Sequence, residues 1–212
     1  MKEVTTKDGS ITFFNDNAND YYHSQSGARE ESFEKHVKAL NVVSNSVIFD
    51  MFFGLGYNSA AAIDTVKGDL VIYCFENDKE ILSKILEIDA EFESWGVIQE
   101  FVRGFIENDV KVYSSGGVKL IMLFGDAREK IQTINIKADF VFFDPFSPSK
   151  VPKLWDVDFL KDIRSKMNPG AKLSTYSCAK IVKGNFNLAG FNVCDGPVVG
   201  RRSPSTIAVN NE

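Results

Sequence analysis

Four acidic side chains stand at or near the ends of short apolar runs. Asp50 closes Val47-Ile48-Phe49-Asp50, four residues before the pair Gly54-Leu55-Gly56. Glu76 ends Cys74-Phe75-Glu76-Asn77, twenty residues beyond Gly56. Asp126 follows Leu123-Phe124-Gly125 and precedes Ala127, and Asp144 opens Asp144-Pro145-Phe146-Ser147-Pro148. A glycine turn after a strand lets a ligand approach the backbone at the mouth of a parallel sheet. An acid at the end of the next strand accepts both hydroxyl protons of an adenosine ribose, which gives Glu76, with Asn77 beside it, a role. Asp126, with Ala127, is placed to accept from an adenine amino group. Taken alone, Gly125-Asp126 is an ordinary turn.

The loop also discriminates between cofactors. A dinucleotide fingerprint wants a third glycine where this chain has Ser59, and a helix N-terminus free for pyrophosphate. Asp50 would repel pyrophosphate but would receive the cationic amine of a methionine moiety. The residues therefore favour S-adenosyl-L-methionine over NAD. Asp144 reads as an amine-acceptor station: its carboxylate accepts from an attacking N–H, a carbonyl near Pro145 adds a second acceptor, and Phe146 stacks on a base. The bland alternative is an Asp-Pro turn with a core phenylalanine, in a chain that has 18 of them.

The elements that must hold these residues alternate. Residues 4–14 form a hairpin about Asp8-Gly9, and Phe33, Val37 and Leu40 recur at helical spacing. Strands are expected at 47–53, 70–75 and 139–143, with 111–113 and 118–124 as a strand pair or one bent strand. Further strands fall at 172–177, after a Pro169-Gly170 turn, and at 191–194 and 206–209. Helices are expected at 60–66, capped by Asn58 or Ser59, and at 79–89, 91–107 and 158–167. This is an α/β, Rossmann-like pattern: a mainly parallel seven-stranded sheet with an antiparallel terminal strand, helices on both faces, and a small N-terminal β-hairpin extension. The expected division is an extension at 1–45 and a cofactor-binding core at 46–212.

Composition sets the limits. The chain has 212 residues, 44% hydrophobic and 25% charged, which suits one globular domain and excludes a disordered or collagen-like chain. No apolar run approaches the ~18 residues of a membrane span, and no signal-peptide pattern opens the chain, so a cytoplasmic location is expected. Three scattered cysteines and two histidines, with no CxxC pair, argue against a metal site. His23 reads as a surface or hairpin-packing histidine. The net charge of −5 is uneven: residues 1–144 carry 14 Lys+Arg against 24 Asp+Glu, and residues 145–212 carry 10 against 5. That basic third is either a phosphate-binding face or a chance asymmetry.

Several segments resemble a known family. They are Tyr22-His23-Ser24-Gln25-Ser26-Gly27-Ala28-Arg29-Glu30-Glu31, Phe53-Gly54-Leu55-Gly56-Tyr57-Asn58, and Asp144-Pro145-Phe146-Ser147-Pro148 with Pro152 and Trp155. Ser174-Thr175-Tyr176-Ser177 and Gly200-Arg201-Arg202-Ser203-Pro204 complete the set. Together they are similar to the methyltransferase domain of the bifunctional tRNA 5-methylaminomethyl-2-thiouridine biosynthesis protein and its stand-alone relatives. The resemblance implies a class I S-adenosylmethionine-dependent fold and N-methylation of the 5-aminomethyl group of wobble (2-thio)uridine. The partner it implies is tRNA, met at the anticodon stem-loop, with a separate enzyme supplying the aminomethyl-uridine. The chain leaves no residues for the flavin-dependent oxidase of the bifunctional members, so methyl transfer alone is expected. Ser24, Gly27 and Glu30 would close over the methionine end or the substrate pocket. Lys180, Lys183, Arg201 and Arg202 would meet tRNA phosphates, although Lys183 stands where the family often has arginine and so lacks its bidentate reach. Two rival readings stay open. One is an aminopropyltransferase or other small-molecule amine transferase, which the basic tail disfavours for a polyamine substrate. The other is a non-catalytic tRNA-binding partner, which Glu76, Asp126 and Asp144 together disfavour.

Overall fold

A computed structural model describes residues 1–200 and 202–212. The chain opens with a three-stranded antiparallel sheet of β1 (Lys2–Thr5), β2 (Ile11–Asn15) and β3 (Asp20–Tyr21). The expected hairpin turn is there: Gly9 takes φ 85°, and the Asp8 carboxylate accepts from the Thr6 hydroxyl at 2.6 Å and the Ser10 amide at 3.1 Å. With two residues, β3 is too short to show a period in sequence.

The segment read as one helix about Phe33, Val37 and Leu40 splits in two. A short α1 (Ala28–Glu31) runs into a π-helical turn, Ser32–Lys38. Val37 and Leu40 stay in the core while Phe33 is only partly buried. Lys35 and His36 are buried along with them, each 2% exposed. Wide turns of this kind gather at functional sites.

The main sheet has eight strands: β4 (Ser46–Met51), β5 (Leu70–Glu76), β6 (Val112–Ser115), β7 (Val118–Phe124), β8 (Ala138–Phe143), β9 (Met167–Thr175), β10 (Asn192–Asp195) and β11 (Thr206–Val209). Their order is β10-β11-β9-β8-β4-β5-β7-β6. The β9-β8-β4-β5-β7 block is parallel, and β11 runs antiparallel to both of its neighbours. The eighth strand arises because 112–124 is a hairpin, with Gly116 and Gly117 at φ 57° and 87°, and β6 adds an antiparallel edge.

Side chains alternate across β4, Ile48 to one face and Phe49 to the other. Helices α2 (Tyr57–Thr65), α3 (Lys79–Glu87) and α4 (Trp95–Asn108) cover the Ile48 face, through residues such as Ala61, Ile85 and Phe101. The short α5 (Ala127–Lys130), with α6 (Val157–Ser165) and α7 (Lys180–Leu188), covers the Phe49 face through Phe159, Ile163 and Phe186.

Three local expectations are corrected. No turn interrupts the chain at Pro169-Gly170: β9 begins at Met167 and crosses both residues, and a register shift between Ala138 and Phe140 absorbs the irregularity. Helix α7 has no counterpart among the expected elements: Gly184, a weak helix former, sits in its middle and only Val182 and Phe186 are buried. Neither Asn58 nor Ser59 caps α2; its N-cap is Gly56, at φ 75°, and both side chains turn toward the sheet instead.

Candidate active site

Strands β8, β4, β5 and β7 are neighbours, and their carboxyl ends open on one cleft of about 730 Å3. In such sheets ligands bind at that edge, where the strand order reverses. Gly54, Glu76, Asn77, Asp126, Ala127 and Asp144 all line it. The loop after β4 is built from left-handed backbone: Phe52 at φ 71°, Gly54 at 55° and Gly56 at 75°. A Cβ on Gly56 would come within 2.7 Å of Phe53 and 3.0 Å of Ile98, so both space and torsion require glycine. Phe52 has no such licence, and its strain sits in the wall of the cleft.

Glu76 is held by three backbone donors. Its Oε2 accepts from Gly54 N at 2.7 Å, and its Oε1 from Asn77 N and Asp78 N at 2.8 Å each. Burial nevertheless pushes its carboxyl up to about 7, against those donors. Asp126 Oδ1 caps α5 by accepting from Arg128 N at 2.8 Å. Asp50 is fully buried and does not line the cleft; Ser59 Oγ donates to its Oδ2 at 2.6 Å. Burial first, with the neighbouring Asp144 and Glu76 charges adding to it against the Ser59 bond, raises Asp50 to about 7.

A second cavity of about 260 Å3 lies on the other side of Asp144. Tyr22, His23, Asp144 and Phe146 line both spaces, so the carboxylate sits at their junction. Ser24, Glu31, Lys35 and Pro145 line the second cavity only. Glu31 Oε1 takes hydrogen bonds from Ser24 Oγ at 2.6 Å and Lys35 Nζ at 2.5 Å. Asn58 Nδ2 donates to Asp144 Oδ2 at 3.3 Å. Burial raises the Asp144 carboxyl, against the pull of His23.

Not every expected residue meets the site. Gly27 and Glu30 line neither cavity; the Glu30 amide donates to Asp8 Oδ2 at 3.0 Å, and its neighbour Glu31 faces the second space. Gly56 shapes the loop from behind. Lys180 and Lys183 lie on α7, away from both cavities; Lys183 pairs with Asp195, and Lys180 is exposed. Arg202 is exposed, and Arg201 lies outside the described residues. His23 is no surface histidine. It is 8% exposed, stacked on Tyr57 with centroids 5.1 Å apart, and turned toward Asp144. Sequence reasoning also passed over Tyr22, Glu31, Lys35, His36 and Asn58. Tyr22 and Glu31 stood in a motif already singled out, whereas Lys35 and His36 depend on a π turn that leaves no periodic trace.

The acceptors present fit a nucleoside: Glu76 and Asp126 line the cleft, where they would accept from ribose hydroxyls and an adenine amino group. Two buried acceptors behind the loop, Asp50 Oδ1 and Asn58 Oδ1, have no hydrogen-bond partner among the described residues, but neither residue lines the cleft, so the amine contact expected of Asp50 is not met there. Comparison with known proteins agrees. Residues 90–211 match the model of a family described as S-adenosyl-L-methionine-dependent methyltransferase. The crystal structure of MnmC2 from Aquifex aeolicus superposes with a TM-score of 0.76 at 32% identity, over 99% of this chain and 70% of that one. The chain is an MnmC-type S-adenosyl-L-methionine-dependent methyltransferase. Two curated relatives extend the likeness. An uncharacterized protein of Methanocaldococcus jannaschii is 31% identical over 98% of this chain. The tRNA 5-methylaminomethyl-2-thiouridine biosynthesis bifunctional protein MnmC of Campylobacter hominis is 31% identical over 87% of it. The methyltransferase spans 59% and 29% of those two relatives' lengths. Among the described residues no helix is long and apolar enough to cross a membrane.

Proposed function

We propose that this methyltransferase converts the 5-aminomethyl group of wobble uridine or 2-thiouridine in tRNA to 5-methylaminomethyl. The observation that carries the reading is the place of Asp144, an acceptor shared by the cofactor cleft and a second cavity. The names of the MnmC relatives supply the tRNA context. When bound, S-adenosyl-L-methionine supplies an electrophilic methyl group on a sulfonium. The protein's task is then to align a neutral amine with that carbon. Asp144 accepts an N–H of the amine and so points its lone pair. Asp20 lines the second cavity and favours an incoming alkylammonium there, while the Glu31 charge is balanced by Lys35. Phe146, edge-on to Tyr22 with centroids 5.0 Å apart, offers a face for an extruded base.

The decisive experiment uses tRNA from a strain that lacks this methylation, followed by nucleoside analysis. The expected product is 5-methylaminomethyl-(2-thio)uridine. Asp144→Asn should lower turnover ~10²-fold while leaving cofactor affinity nearly unchanged. Methylation at another position, or of a free polyamine in preference to tRNA, would overturn the assignment.

A further inference from the structure

The chain has two histidines, and both stand against the same carboxylate. His23 Nδ1 lies 4.0 Å from Asp144 Oδ2, and His36 Nε2 lies 3.8 Å from the same oxygen. They arrive from different elements, His23 from the segment before α1 and His36 from the π turn. Both are buried, and each has a second anchor. His23 stacks on Tyr57 with the ring planes 16° apart, and His36 Nδ1 shares a 2.8 Å hydrogen bond with the fully buried Ser174 Oγ. Two imidazoles are a costly way to fill a core that leucine would fill.

Their surroundings differ in a way that assigns different tasks. His23 lines both cavities and His36 lines neither. Burial lowers both rings. For His36 the neighbouring Lys35 charge adds to that, outweighing Glu31, and holds the ring down to about 3. For His23 the carboxylates of Asp144, Glu31 and Asp8 work against burial, with only His36 opposing them. Asp144 itself faces Glu31 from α1, Lys35 from the π turn and Asp50 from β4, besides the two rings and Asn58. His36 is thus a neutral prop, whereas at His23 burial still wins but the Asp144 carboxylate offsets part of it.

We propose that His23 is the relay that empties Asp144 of the proton surrendered by the substrate amine, with His36, fixed by Ser174, as the residue that positions the carboxylate. The proposal rests on the amine-methylation reading. A primary alkylamine arrives as an ammonium, with a pKa near the ~10.4 of lysine. It gives one proton to Asp144. The neutral nitrogen then bonds to the methyl carbon as the carbon–sulfur bond breaks, its electron pair staying on sulfur. The product leaves as a secondary ammonium, so one proton per turnover passes through Asp144 and must leave before the next cycle. Distances of 3.8–4.0 Å are bridged by a small side-chain rotation or one water. Only His23 has a ring open to the cavities through which the proton can go on to solvent.

With only two histidines, the imidazole resonances are readily assigned by NMR. In the folded protein Asp144→Asn should lower the His23 pKa by about one unit or more, a tenfold loss of proton affinity, and leave His36 neutral throughout. A His23 titration unmoved by Asp144→Asn overturns the coupling and the proposal with it. The second measurement is the pH–rate profile of His23→Phe, which keeps a ring on Tyr57 but no nitrogen. Turnover near pH 7 should fall ~10–100-fold, measured at saturating S-adenosyl-L-methionine, and the deficit should close toward about pH 10, where the amine is neutral unaided. A loss equal at every pH marks a structural defect and sinks the relay. If the wild-type chain methylates no aminomethyl-uridine tRNA while the NMR shift is present, the substrate reading fails and the coupled pair stands. Parallel profiles in an active enzyme remove the relay alone.

Discussion

Tyr22 donates its hydroxyl hydrogen to Asp78 Oδ2 at 2.6 Å, across 56 residues of chain. Asp78 is also the N-cap of α3, accepting from Glu80 N through its other oxygen. Asn15 at the end of β2 completes the clasp, donating to Tyr22 Oη at 2.9 Å and Asp78 Oδ2 at 3.3 Å. The N-terminal sheet is therefore fastened to the helix that follows Glu76, over the wall of the cofactor cleft. Burial and the bond to Asp78 together push the Tyr22 hydroxyl well above the usual phenol range, so it stays a donor at every working pH.

Tyr22→Phe removes that donor and leaves the Asp78 oxygen poorly satisfied. Hydrogen bonds to charged groups contribute about 1.5–3 kcal/mol, so the variant should lose stability within that range. Amide exchange should speed up in β1–β3 more than in the main sheet. Uniform exchange across both sheets would show that the clasp does not hold the extension.

Glu76→Ala should weaken S-adenosyl-L-methionine binding by ~1.5–3 kcal/mol, the worth of charge-assisted hydrogen bonds. The pH dependence has a definite sign. Ribose hydroxyls need the anion, and burial holds the carboxyl at about 7. Affinity should rise from pH 6 to pH 8 and flatten above, while Glu76→Gln gives a flat, weaker profile. Calorimetry at three pH values checks this, and a wild-type profile as flat as that of the variant would take Glu76 off the ribose.

Much of this site was legible because parallel strands end where ligands bind. Glu76, Asp126 and Asp144 could be ranked from their places at strand ends, and the glycine pair marked the loop between them. The rest depended on geometry that one-dimensional spacing does not encode. Asn58 and Ser59 looked like helix caps because the Gly56 cap uses backbone torsion rather than a side chain. Glu30 and Glu31 are adjacent in sequence, and only the course of the chain into the π turn decides that Glu31 faces the second cavity. His23 was undervalued because a lone histidine near a hairpin carries no signal until Asp144 is brought beside it from 121 residues away.

Asp50 provides a test of the buried acid beneath the loop. Its folded pKa is about 7, against ~3.9 in an unfolded chain. Between about pH 4 and pH 7 the folded chain holds a proton that the unfolded chain has released. Stability is therefore lost as the pH rises through that window, by at most ~1.4 kcal/mol per unit. Asp50→Asn lacks this dependence, so its stability relative to wild type should climb from pH 4 to pH 7 and level off above. Denaturant titrations across that range measure the difference, and a constant difference would mean that Asp50 is ionised throughout.

The last prediction concerns the basic third of the chain, which carries 10 Lys+Arg against 5 Asp+Glu from residue 145 onward. Its cations are not equivalent. Lys183 is already paired with Asp195. Lys180 is exposed at the first residue of α7, where the helix dipole disfavours a cation, and it makes no ion pair with any described residue. Arg202 is exposed in the segment before β11. If this face meets tRNA, Lys180 and Arg202 should contact phosphate and Lys183 should matter less. Each phosphate contact removed lowers the slope of log affinity against log salt by ~0.7–0.9. Lys180→Ala combined with Arg202→Ala should therefore weaken tRNA binding and flatten the slope by ~1.4–1.8, whereas Lys183→Ala should change it little. S-adenosyl-L-methionine affinity should not move, since none of the three lines the cofactor cleft. A double variant with an unchanged salt slope would make the asymmetry a property of the solvated surface, and the RNA face would then have to be sought around the second cavity.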